Sequence, residues 1–359
     1  MFNVKLTPFF FLLIMFDVRA GELRTAVESI STIGDVIKRS STIQRKCAFY
    51  ASEESLNDYL SKTPGLNKGE GNTFGSKQIK LYCKLKKEIL AGKKNIQWGL
   101  KELGKEGNLS ESGNPNKTYY GASTSKIVVA ASYLNKNKGP LSQKAKGHIR
   151  KLIKKSDNRS WAWLQEYNVD PNFDVESCLI KKSSKYCVSK DGRDQIKEFQ
   201  KQIGIKNSKL WRGNGGNYIS VNDMNRFLDK SFSGSYNRST FLLKELFYVH
   251  TSRSRADKYL PRSMSIGGKT GSWRNFNHQS MLLPIKGKFY SMTILSEISF
   301  PKSFDSKIRK QLAGKNLTER QILKNISRAK GRIRSENLAL MTGGLTREKL
   351  GYPEKISCD

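Results

Sequence analysis

The chain opens on a polar start containing Lys5, an apolar run from Leu6 to Phe16, and the small-residue exit Val18-Arg19-Ala20. That order is the order of a secretory signal and predicts residues 1–20 as a peptide cleaved near Ala20. The apolar run is short for a bilayer, and no later stretch approaches the roughly 20 apolar residues a membrane helix needs. The expected mature protein is therefore exported, periplasmic or secreted, without a transmembrane segment. From Glu22 to about Ile89 the apolar positions Leu23, Val27, Ile30, Ile33 and Ile37 recur at three- and four-residue steps, which puts them on one helical face. A Gly-rich interruption at Gly65 to Gly75 follows. Residues 21–94 read as a helical accessory region with no catalytic signature.

Near Asn95 the texture changes. Ile96 to Leu100 reads as a strand, Gly104 to Asn116 as a polar turn, and Thr118-Tyr119-Tyr120 as a second short strand. A helix is expected to begin at Ser123, and its body, Ile127 to Ala131, is apolar all round, as a helix through the middle of a domain must be. Further helices are predicted at Leu141 to Lys155, after Ser156, at Asp194 to Ile203 and at Phe241 to Val249, with a loop at Lys209 to Asn217. Ser220, followed three residues on by Asp223, has the form of a capping box. Three strand-like runs come last: Ser263 to Trp273, Gln279 to Ile285 and Phe289 to Ile298, the final two joined by a tight turn at Lys286-Gly287-Lys288. Two strands before a helical block and three after it predict an α/β (α+β) domain over 95–300: one five-stranded antiparallel sheet, helices on both faces and an inserted all-helical subdomain. Residues 301–359 read as a basic helical tail closing on loop-like Gly343-Gly344 and Pro353.

At 359 residues and 37% hydrophobic content the chain can bury a substantial core. The formal charge of +34 would draw it to any polyanion. The excess is spread as Lys-Lys pairs on solvated faces rather than gathered beside aromatics, and export argues against nucleic acid, which leaves an anionic cell-envelope polymer as the attracted partner. Five cysteines in an exported chain permit disulfides and leave at least one thiol over; Cys178 and Cys187, close together in a polar loop, are the preferred pair. No Cys or His spacing suggests a metal site, no cofactor is called for, and the three histidines, His148, His250 and His278, read as surface or core side chains.

Three short motifs stand in a fixed order: Ser123-Thr124-Ser125-Lys126, Ser156-Asp157-Asn158 and Lys269-Thr270-Gly271. Each alone is weak. Ser299-Phe300-Pro301-Lys302 also fits the first pattern, at a place where no helix is expected. Together they fall where their chemistry requires. Ser and Lys three apart at a helix start share a face, so the amine can reach the hydroxyl, and a serine at the helix N-terminus sits where a developing anion is favoured. The third motif lies mid-strand, where a glycine leaves room for a substrate backbone.

The set, with its flanks Ala122 to Ile127, Ser156 to Arg159 and Gly268 to Ser272, resembles the penicillin-recognising serine enzymes, closest to class A β-lactamases, over roughly Asn95 to Phe300. The resemblance implies a β-lactamase/transpeptidase-like fold with Ser123 as the acylated nucleophile. It implies Lys126 as the proton acceptor, made neutral by burial and by Lys269. Ser156 would relay the proton to the leaving nitrogen, Asn158 would hold the substrate amide, and Asp157 would organise the turn. Lys269 and Thr270 would bind the substrate carboxylate beside Gly271, with the amides of Ser123 and Ser272 as the oxyanion hole. Arg274 is an added carboxylate partner or a solvated strand-end residue.

The resemblance stops at one residue. Class A β-lactamases place a glutamate on an Ω-shaped loop to activate the deacylating water, and here Lys209 to Asn214 looks like the opening of a shortened loop with Asn214 where the glutamate belongs. Glu166, eight residues after Asn158, reads as a surface residue. Three readings stay open: a β-lactam-hydrolysing serine enzyme whose turnover is slow or uses a different base, a penicillin-binding-protein-like D,D-peptidase acting on D-Ala-D-Ala peptidoglycan stems, and a non-hydrolytic peptidoglycan-binding module.

Overall fold

The computed structural model describes residues 73–358 apart from 182–186, 213–215, 249–255 and 262–263. The expected signal segment, the helical stretch before residue 73, Cys47, Asn214 and His250 lie outside the described residues. A first helix, α1 (Ser76–Leu90), leads into β1 (Ile96–Glu102), β2 (Ser110–Glu111) and β3 (Tyr119–Tyr120). The helical block follows: α2 (Lys126–Lys136), α3 (Gln143–Lys155), α4 (Asn158–Glu166), α5 (Val175–Lys181) and α6 (Lys190–Gln202). Two short strands, β4 (Lys209–Arg212) and β5 (Gly216–Ile219), precede α7 (Val221–Phe232) and α8 (Ser239–Tyr248). The chain closes with β6 (Gly267–Trp273), β7 (Phe276–Ile285), β8 (Lys288–Glu297), α9 (Lys302–Leu312) and α10 (Glu319–Leu350).

Five strands form one antiparallel sheet in the order β2-β1-β8-β7-β6. Its centre is the hairpin β7–β8, which pairs Phe276 with Glu297 at one end and Ile285 with Lys288 at the other. Lys286 and Gly287 both take positive φ (50° and 74°), the geometry whose twist suits a two-residue hairpin turn. Strand β1, from before the helical block, joins the far side of β8 with Ile96 opposite Ser296. Strand β6, which carries Lys269-Thr270-Gly271, is left at the sheet edge.

One face of the sheet packs on α1 and α10. Trp98, Leu100, Met281, Leu283, Met292 and Ile294 meet Tyr82, Leu338, Met341 and Leu345 in a single apolar cluster. Gly343 and Gly344 are not loop residues as expected but lie inside α10; a Cβ on Gly344 would stand 2.2 Å from the Tyr82 ring, so glycine is what lets this aromatic lie against the helix backbone. The described residues belong to one compact unit, to whose core α1 and α10 contribute alongside the sheet. Cys83 is bonded to Cys358 and joins the end of the chain to α1; Cys178 is bonded to Cys187, the expected pair.

The opposite face carries α7 and α8, whose Val221, Met224, Phe227, Leu228, Leu242 and Leu246 are buried. Helix α2 is the central one: every residue from Lys126 to Leu134 is buried, in keeping with its apolar circumference.

Several expectations need correction. Tyr119–Tyr120 does not pair with the strands of the large sheet but forms a second, three-stranded sheet, β3-β5-β4, with Tyr119 opposite Ile219. The loop expected over 209–217 thus contributes two strands. Two residues are too few for a ladder along β6, and side chains join the sheets instead. The Tyr120 ring packs on Trp273 at 4.7 Å, and the Tyr120 carbonyl accepts from His278 Nε2 at 2.8 Å. Ser220 caps α7 by accepting from Asp223 N–H at 3.2 Å, but the reciprocal half of the capping box is missing, because the Asp223 carboxylate is turned to the amides of Lys206, Asn207 and Ser208. A helix, α9, does begin at Lys302, so the second serine-lysine motif also precedes a helix; Ser299 and Lys302 are exposed, outside any buried polar setting.

Candidate active site

Three segments converge. Ser123 sits half-buried in the turn just before α2, with its carbonyl accepting from Lys126 N–H at 3.4 Å. Lys126 begins α2 and is only 6% exposed. Its amine donates to Asn158 Oδ1 at 2.7 Å and to the Ser156 carbonyl, so the first and second motifs are joined through this one cation. Burial pulls the Lys126 amine from 10.5 down to about 8, with Asp157 opposing the shift. Lys269, 4% exposed on β6, donates to Ser156 Oγ and to its neighbour's carbonyl, Thr270 O, at 3.0 Å. Ser156 therefore lies between the two lysines, its carbonyl on one and its hydroxyl on the other.

The second motif is shaped by the junction of α3 and α4. Ser156 takes a left-handed conformation (φ 54°) that ends α3, and Asp157 caps α4 by accepting from Ser160 N–H at 2.9 Å and Ser160 O–H at 2.6 Å. Burial works against ionisation of Asp157, yet the hydrogen bonds from Ser160 and the amide of Arg159 hold its carboxyl below the usual range. Its role in organising the turn is visible in that geometry.

Backbone strain gathers here. Five described non-glycine residues have positive φ, and three adjoin the motifs: Ala122 (46°) before Ser123, Ser156, and Arg274 (49°) after β6. Such conformations cost on the order of 1–3 kcal/mol and persist only where the surroundings enforce them. Asn217 does this for Ala122. Its Nδ2 donates to the Ala122 carbonyl at 2.8 Å, and its own carbonyl accepts from Gly121 N–H at 2.6 Å. Nothing in the sequence around Asn217 marked it for this task.

Thr270 is half-buried and Ser272 exposed on the edge strand, with Ser272 Oγ donating to Asn277 Oδ1 at 2.6 Å. A Cβ at Gly271 would stand 2.4 Å from Thr124 Oγ1 and 2.7 Å from Thr124 N, so the missing side chain admits the turn that carries Ser123 against β6. Glu166 is not the surface residue expected. It is 5% exposed, and its carboxylate accepts from Ser189 N–H at 2.7 Å and Ser189 O–H at 3.0 Å, which ties the end of α4 to the start of α6. Among the described residues no cluster of His, Cys, Asp or Glu could hold a metal ion.

The family model described as the β-lactamase enzyme family matches residues 80–319. The chain belongs to the β-lactamase enzyme family and is a serine hydrolase of the β-lactamase/D,D-peptidase type. Among solved structures it is similar to a β-lactamase from Sphaerobacter thermophilus, at 13% identity and a TM-score of 0.50, over 76% of this chain and 97% of that one. A β-lactamase from Chitinophaga pinensis gives 13% identity and a TM-score of 0.49, over 73% and 97%. An acyl-enzyme complex of a PBP-A variant with penicillin G gives 12% and 0.48, over 73% and 95%. At these identities the likeness concerns the fold, which is the one expected. No curated protein sequence matches.

Proposed function

We propose that this chain is an exported enzyme of class A β-lactamase type that is rapidly acylated at Ser123 and slowly released. The observation that carries the reading is the Lys126 amine: buried, brought down to about 8, and bonded into the Ser156-Asn158 turn. In its neutral form it takes the proton of Ser123 Oγ as that oxygen attacks the carbonyl carbon of a β-lactam. The amides of Ser123 and Ser272 receive the developing oxyanion. Ser156 Oγ relays the proton taken up by Lys126 to the ring nitrogen as the C–N bond breaks, which returns the amine to its neutral form, and Lys269, bonded to that hydroxyl, keeps its charge and holds the substrate carboxylate with Thr270. Asn158 orients the substrate amide, and Gly271 seats the nucleophile turn.

Release requires a base on the water, and Glu166, the acid nearest in sequence to the second motif, is committed to Ser189. That commitment favours, as a second reading, a D,D-peptidase on peptidoglycan stems, in which an amine or a slow water accepts the acyl group. Fluorescent penicillin labelling of wild type and Ser123→Ala tests the acylation step. The expected result is a labelled band for the wild type and none for the variant; equal labelling would place the nucleophile elsewhere.

A further inference from the structure

Beside the catalytic edge strand a cavity of about 940 Å³ opens between the β6–β7 turn and α10. It shares Ser272 and Trp273 with β6, yet neither Ser123 nor Lys126 lines it. Five cations face it, Lys258, Arg274, Arg328, Arg332 and Arg334, against one acid, Glu336. Glu336 is taken up by Lys258 at 2.7 Å. Arg334 is consumed in structure: it donates to Asn275 Oδ1 at 3.0 Å, to the Ile298 carbonyl at 3.3 Å and to the Arg274 carbonyl, fastening the β6–β7 turn to α10. No carboxylate among the described residues pairs with Arg274, Arg328 or Arg332.

Folding gives no reason for that concentration. Arg328 and Arg332 stand four apart on one helix face, where like charges repel. Arg274 lies over the Trp273 ring at 4.3 Å, with Trp273 itself 44% exposed at the rim. Guanidinium groups held around a concave site fit the two oxygens of a carboxylate. We propose that this groove is a subsite for a carboxylate on the polymeric part of the substrate, away from the bond that Ser123 attacks. The proposal rests on the second reading above, an acyl-serine enzyme acting on peptidoglycan stems, and narrows it: the groove serves a carboxylate-bearing peptidoglycan strand, whereas a free small lactam would leave it empty.

The test reads binding without acylation. Ser123→Ala protein is titrated with soluble peptidoglycan strands carrying free stem carboxylates, and with the same strands after their carboxylates are amidated. The free-acid strands should bind about tenfold tighter, a preference that shrinks as salt is added. Adding Arg328→Glu with Arg332→Glu, both on the solvent side of α10, should erase the preference while leaving the melting temperature unchanged. The same pair with Ser123 intact should take fluorescent penicillin at the wild-type rate. Equal binding of amidated and free strands, or a preference that survives the charge reversal, would overturn the proposal, as would displacement of the strands by duplex DNA at lower concentration than by polyglutamate. Failure of the wild type to take label would count against the acyl-serine reading alone, since the binding contrast is read without the serine.

Discussion

The five-stranded sheet and the three-stranded sheet both border the turn that carries Ser123, and they hold it by different means. The large sheet works through regular pairing: β7 and β8 run ten residues each with nearly every side chain buried, and β6 is carried along as their edge. The small sheet has strands of two and four residues and cannot hold anything by its ladder. It acts through single contacts: Asn217 on the strained Ala122 carbonyl, and His278 across to the Tyr120 carbonyl. A sheet built on repetition tolerates the loss of one contact, whereas a region built on individual contacts does not.

The largest effect is expected where both regions hand over to the chemistry. Lys126→Ala should slow acylation by roughly 10²–10⁴-fold, the usual contribution of a positioned base. In the wild type only the neutral amine accepts a proton, so acylation should climb with pH through about 8 and level off above it. Well below that value the rate should change about tenfold per pH unit. A flat profile between pH 6 and 9 would remove Lys126 from the role of base.

Next comes the link between the sheets. Burial holds His278 down from 6.5 to about 4, so the folded protein refuses a proton that the unfolded chain accepts. Stability supplied by this residue is therefore complete above about pH 6.5 and is lost as pH falls toward 4, by up to about 3 kcal/mol. The Ser296 amide donates to Nδ1 at 3.1 Å, which leaves the proton on Nε2 for Tyr120. Melting curves of wild type and His278→Gln across that range should converge at low pH. Parallel curves would mean that the link carries no titrating energy.

A smaller effect is expected at the clamp itself. Asn217→Ala frees the Ala122 carbonyl, and small misplacement of a nucleophile costs as much as about 10²-fold in rate. Acylation should fall by roughly ten- to a hundredfold, with about 1 kcal/mol lost in stability. An unchanged rate would show that β6 and Gly271 suffice to set the turn.

The same contrast explains what the sequence revealed. Strands β1, β6, β7 and β8 and the helix after Ser123 follow from apolar patterning and from the Lys286-Gly287 turn, because repetitive elements write their period into the chain. The three motifs were legible as a set, and the structure brings Lys126, Ser156, Asn158 and Lys269 together. Contacts made once leave no period. Asn217, Glu166 and His278 each act through a partner 15 or more residues away, and their neighbours in the chain say nothing of it. Gly343-Gly344 misled for a related reason: glycine signals a loop locally, while here its smallness serves the Tyr82 ring against α10.

Intact mass of the wild-type protein, followed over time after mixing with excess penicillin, tests the central claim most directly. The account predicts one added penicillin, located on Ser123, that forms within seconds at pH 8 and persists for minutes or longer: Lys126 is placed to serve acylation, whereas Glu166 is held by Ser189 and no other described acid is assigned to the water of release. Fast consumption of the penicillin with no adduct at any time would contradict it, and would mean that a base outside the assigned residues activates the water.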